Sequence, residues 1–105
     1  MDLTPEVKTL YRHLLKKLEA LGNIRVEERK TSVHLVNRVA FAGVHPRKNS
    51  FILNIVSDSP IKSERINKTE QVSKSRFHNE LKVQRLEDID NELLQWLRRA
   101  YELMN

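Results

Sequence analysis

The chain has no cysteine. That excludes a disulfide scaffold, a thiol nucleophile and the common cysteine-bearing zinc knuckles, and it suits a reducing compartment. Glycine occurs only at Gly22 and Gly43, so neither a phosphate-binding loop nor a dinucleotide fingerprint can be written in this sequence, both needing closely spaced glycines. The same scarcity removes the glycine-flanked serine elbow of hydrolases. No apolar run approaches the roughly 20 residues of a membrane-spanning helix. The start, MDLTPEVK, lacks both the basic end and the apolar centre of a signal peptide, so a cytoplasmic protein with no membrane contact is expected.

What is present is ordinary for a folded domain. The 105 residues are 39% hydrophobic and 31% charged, a length and composition that predict one domain over 1–105 with a core. The net charge of +5 is unevenly placed. From Ile24 to Arg85 there are thirteen Lys and Arg against six Asp and Glu. A basic middle points to an anionic partner, although basic surfaces also serve solubility alone.

Thr4-Pro5-Glu6 has the order of a helix start: a hydroxyl cap, a proline at the first helical position and an acid at the positive end of the dipole. Val7, Leu10, Tyr11, Leu14, Leu18 and Leu21 then recur at three- and four-residue spacing, which predicts an amphipathic helix over about 4–22 closed by Gly22. Ile24 to Lys30 alternates as a short charged strand at a sheet edge. Val33, Leu35, Val39 and Phe41 share one parity, as do Phe51, Leu53 and Ile55 beyond the polar elbow His45–Asn49, predicting a central hairpin of strands at about 32–42 and 50–57. Asp58-Ser59-Pro60 ends the second strand. A weak alternation predicts a strand at about 64–70. Phe77, Asn79, Leu81 and Val83 alternate in a last strand at about 76–84. A second helix over about 86–104 carries Ile89, Leu93, Trp96, Leu97, Ala100, Tyr101 and Met104 on one stripe, with acids in its first turn. The expected fold is α+β: N- and C-terminal helices packed on one face of a four- to five-stranded, mainly antiparallel sheet. Phe41, Phe51, Phe77 and Trp96 are expected in the core, leaving the opposite face open and basic.

Candidate site residues follow from that picture. His45, Arg47 and Lys48 put an imidazole and two cations in one loop, where an arginine fork suits phosphate. Lys30, Arg38, Arg65, Arg76 and His78 would extend them into an anion-binding, phosphate-tracking patch. The four histidines show no H-x-H or H-E-x-x-H spacing, so no metal site, cofactor or catalytic residue is assigned. The bland alternative for each cation is a solvated surface.

Lys30-Thr31-Ser32, the run Val39–Lys48, Ser73–His78, and Asp90 through Trp96-Leu97 to Ala100-Tyr101 resemble an uncharacterised bacterial domain family whose longer relatives carry the label "predicted transport protein". The resemblance covers roughly Lys30 to Leu103, with Phe41 to Lys48 as its most specific piece. It implies no reaction or cofactor, and it singles out His45, Arg47, Lys48, Arg76 and His78. The leading expectation is a small non-catalytic module contacting DNA or RNA through a basic sheet face and the His45–Lys48 loop. The runner-up is a protein-interaction or homodimerisation module using Val36, Ile52 and Val56. A third reading is a small-ligand binder or enzyme built on His34, His45 or His78.

Overall fold

A computed structural model describes residues 2–105. Helix α1 (Pro5–Leu18) leads through a single 3-10 turn into β1 (Arg25–Glu28), β2 (Val33–Val36), β3 (Ala40–Pro46), β4 (Phe51–Ser57), β5 (Lys68–Ser73) and β6 (Arg76–Val83), and the chain ends in helix α2 (Asn91–Leu103). The strands form one antiparallel sheet in the order β1-β2-β3-β4-β6-β5. The architecture is the expected α+β one, with six strands instead of four or five. Val7, Leu10, Leu14 and Leu18 of α1 share one buried cluster with Leu93, Leu97 and Ala100 of α2 and with Leu35, Leu53, Ile55, Leu81 and Val83 of the sheet. Both helices thus cover a single sheet face.

The extra strand comes from a turn inside the stretch expected as one strand over 32–42. Asn37 to Val39 folds against the end of α2: the Arg38 and Val39 amides donate to the Met104 carbonyl at 3.2 and 3.3 Å, and the Asn37 side-chain amide donates to the Tyr101 carbonyl at 2.8 Å. The last carbonyls of a helix have no partners of their own, and here the turn supplies them. Val39, expected in the core, is accordingly 52% exposed. The β2–β3 register then slips between Leu35 and Val36, so that Phe41 and Ala42 are successive buried residues. A bulge of this kind inverts the parity that follows. Val44, not His45, shares the core face with Leu53.

Other boundaries shift for equally local reasons. The second helix begins at Asn91 because Asp90 caps it, accepting from the Leu93 amide at 3.0 Å; residues 86–88 form a separate 3-10 turn. The strand expected at about 64–70 starts at Lys68, leaving Arg65 in the preceding linker. Gly22 closes the first helical segment at φ 131°, and a Cβ there would come 2.8 Å from the Tyr101 hydroxyl. That hydroxyl donates to the Asn23 carbonyl at 3.0 Å, and the ring meets Phe41 edge-on at 5.3 Å. Phe77 and Trp96 are only partly buried, unlike Phe41 and Phe51.

The linker from β4 to β5 has no secondary structure, and one side chain fixes its start. Asn79 is fully buried. Its amide nitrogen donates to the Ile55 carbonyl at 2.9 Å and the Ser57 hydroxyl at 2.8 Å. Its oxygen accepts from the Ile61 amide at 3.1 Å and the Thr69 hydroxyl at 3.2 Å. Replacing Asn79 by Ala strands these groups, and a buried group without its partner costs about 1–3 kcal/mol. Asn79→Ala is expected to lose about 2–3 kcal/mol in denaturant unfolding, with faster hydrogen exchange at Ile61. Unchanged protection at Ile61 would contradict this account.

Candidate anion-binding rim and the histidine face

Antiparallel register fixes which side chains share the face away from the helices. Glu27, His34, Gly43, Asn54, Glu80 and Lys68 form one row across the sheet, and His45, Ile52 and Lys82 form the next. His78 lies opposite Val56 on one side and Glu70 on the other. On this face Arg25, Lys68, Arg76 and Lys82 alternate with Glu27, Glu70 and Glu80, so it is close to neutral where a basic face was expected. Of the apolar residues proposed for protein contact, Val36 and Val56 are buried, at 3% and 6% exposed, and Ile52 is half-buried.

His34 and His45 are diagonal neighbours, a relation that separates such residues by about 7–8 Å. Gly43 leaves the space between them open: a Cβ built on it would sit 3.5 Å from His45 Nε2 and 3.9 Å from Asn54 Cβ. The His45 ring therefore folds back over Gly43, next to Asn54, whose Oδ1 is buried without a hydrogen-bond partner. Desolvation, followed by the Arg47 charge, holds His45 below the ordinary histidine value; His34 acts in the same direction and Glu80 opposes it. Glu27, opposite His34 in the first row, is held below the usual carboxylate range by its Arg25 hydrogen bond, with desolvation opposing and Arg29 and His34 assisting. His78 stands apart from this pair, across β4 from them. Among the described residues no group of three or more His, Asp or Glu is placed to hold a metal ion.

The predicted cations divide into three places. Arg47 and Lys48 sit in the β3–β4 turn, closed by the Arg47 amide donating to the Ser50 carbonyl at 2.8 Å. Lys30 sits in the β1–β2 turn at the same end of the sheet, and β6 brings Lys82 and Arg85 to it, since Val83 pairs with Phe51. No carboxylate lies within ion-pair distance of Lys30, Arg47, Lys48, Lys82 or Arg85 among the described residues. Arg38 and Arg76 lie at the opposite end, beside the β2–β3 and β5–β6 turns. The seven residues of β4 put about 20 Å between the two ends.

Arg65 belongs to neither group. Its guanidinium donates to both Asp90 oxygens at 2.9 and 3.1 Å, to Glu92 at 3.0 Å and to the Asp88 carbonyl at 2.6 Å, and it lies 5.6 Å from the Trp96 ring centre. Partial burial pushes Asp90 up, but the Leu93 amide and Arg65 outweigh it and hold Asp90 below the usual range. Arg65 thus fastens the linker to the start of α2, and both of its terminal nitrogens are engaged there. Sequence reasoning missed Lys82, whose place at the rim depends on the β4–β6 pairing. It also missed a groove of about 920 Å³ between the linker at Asp58–Lys62 and Trp96, Arg99 and Leu103 of α2.

A family model described as a domain of unknown function (DUF5655) matches residues 2–104. The chain belongs to this family. The match spans both helices and every strand, so the rim, the histidine face and the Arg65 clamp all lie within the family domain. No curated protein and no solved structure matches the chain.

The His45 environment has a measurable consequence. Because its folded value is depressed, protonation favours the unfolded chain, so its contribution to stability is present above about pH 6.5 and declines as pH falls below that. Ring-proton NMR is expected to give His45 a midpoint below about 6.5. Arg47→Ala should move that midpoint upward and Glu80→Gln downward; a midpoint indifferent to both would refute the arrangement.

Proposed function

We propose that this domain is a small non-catalytic binding module that engages an anionic partner, nucleic acid first, through the rim formed by Lys30, His45, Arg47, Lys48 and Lys82. The observation that carries this reading is the separation of charge. The cations of the rim have no acidic partner, whereas Asp90 and Glu92 hold Arg65, Glu27 holds Arg25 and Arg29, and Asp88 accepts the Gln84 and Arg85 amides at 2.9 and 3.0 Å. Exposed Lys and Arg without a carboxylate partner meet phosphates without first breaking a salt bridge, Arg47 giving up only the 3.1 Å bond from its Nη1 to the Pro46 carbonyl, and the released counterions favour association. Arg47 offers a fork to a phosphate, Lys30, Lys48 and Lys82 offer point charges, and neutral His45 offers a ring N–H. Arg38 and Arg76 are outlying contacts in this reading, and Arg65 has a structural role. No helix of the described residues is long and apolar enough to cross a membrane.

The test is fluorescence anisotropy with labelled duplex DNA, single-stranded DNA and RNA over a range of salt. Neutralising one phosphate lowers the log–log slope for duplex by about 0.9, so contacts from Lys30, Arg47, Lys48 and Lys82 should give a slope of about −3 to −4. Arg47→Glu with Lys48→Glu should weaken binding at least tenfold and flatten the slope by about 2. The far-end pair Arg38→Glu with Arg76→Glu should change it little. Absence of binding at low salt, or equal losses from both pairs, overturns the proposal.

A further inference from the structure

The two edges of the sheet are unlike. β1 has four residues, and Glu27 bridges Arg25 at 2.9 Å and Arg29 at 3.0 Å along it. Charged groups on a short strand discourage pairing with another chain. β5 has six residues and all of them are exposed. It pairs only with β6, so its outer row of backbone N–H and C=O groups has no protein partner. It contains neither proline nor glycine, and its register is regular from Lys68 to Gln71, with the irregularity confined to Gln71–Ser73. The strand is nevertheless firmly placed, through the Thr69 hydroxyl on Asn79 at 3.2 Å and the Asn67 amide on the Glu80 carbonyl at 2.8 Å. Its charges, Lys68 and Glu70, oppose a mismatched strand, but an ordered edge of this kind is a template for a complementary one.

We infer that the occupant of this edge is a second copy of the same chain, paired antiparallel about a twofold axis through Thr69. The sequence Asn67-Lys68-Thr69-Glu70-Gln71 is self-complementary under that operation. Lys68 faces Glu70 of the other copy and Glu70 faces its Lys68; Thr69 meets itself, and Asn67 meets Gln71. Opposite charges directly across a strand pair stabilise it, and like charges destabilise it. The same patch serves both copies, as a closed twofold interface requires. Strand pairing continues the sheet, so the helices of both copies lie on one side and the two histidine faces join on the other. This dimer uses the backbone edge of β5 and none of the rim cations, although Lys68 is a diagonal neighbour of Lys82, and it does not depend on nucleic-acid binding.

Sedimentation equilibrium of the full chain at concentrations up to about 200 μM is the test, alongside circular dichroism to show that each variant is folded. The wild type is expected at twice its 12.4 kDa mass. Lys68→Glu alone sets Glu against Glu70, and Glu70→Lys alone sets Lys against Lys68. Each should raise the dissociation constant about tenfold or more, because two symmetric pairs turn repulsive. The double exchange, Lys68→Glu with Glu70→Lys, restores the complementarity and should restore the dimer. A wild-type monomer throughout the range overturns the inference, as does a dimer indifferent to both single changes, which would use another face. Failure of the double exchange to recover association also overturns the proposed register.

Discussion

Everything in this domain depends on one sheet face being the only place where apolar surface can go. Two amphipathic helices and four of the strands turn their greasy sides to the same layer, and burying such side chains contributes about 1.5–3 kcal/mol each. Once that layer is filled, nothing apolar remains to cover the other face. Apart from Ile52, its exposed residues are charged, imidazole-bearing or small, and they arrange themselves by strand register alone. Groups able to meet a partner therefore lie on the open face, in the turns at the two sheet ends and along the free strand edge, with the groove beside α2 on the helix side. The DUF5655 match covers both helices and every strand of this one-sided arrangement.

The helices and the last strand were legible because their patterns are local. The stripe from Val7 to Leu18 and the alternation from Phe77 to Val83 each need only their own residues to be recognised. Val33 to Phe41 was misread as one strand because alternation does not register a turn whose purpose is to satisfy carbonyls some 60 residues later in the chain. Asn37 is the single hint, being a residue that favours turns. The bulge at Phe41 then made a correct parity wrong two residues on. Near Arg65 the pattern carried no information at all, since the linker is held by Asn79, Asp90 and Glu92 and not by any periodicity of its own.

Charge was legible in amount and not in direction. The sequence places thirteen cations in the middle of the chain, but whether two of them are neighbours depends on strand order. Arg47 and Lys48 join Lys30 because an odd number of reversals separates their turns from the far end. Arg38, closer to Arg47 in sequence than Lys30 is, ends up about 20 Å away for the same reason. Arg65 looked like any other surface arginine, and only the acids of a helix beginning 26 residues later show that it is held within the fold.

The N-cap of α1 carries a consequence of its own. Thr4 accepts from the Val7 amide at 3.3 Å and donates its hydroxyl proton to the Lys48 carbonyl at 2.8 Å. One oxygen atom thus both starts the helix and braces the turn that bears Arg47 and Lys48. Helix nucleation and turn geometry become a single event: the cap cannot be rearranged without releasing the turn, and a turn pulled outward draws on the first turn of the helix. A load applied at Lys48 is therefore shared with α1, whose buried residues belong to the core cluster, and a single threonine hydroxyl acts as the hinge pin of that corner.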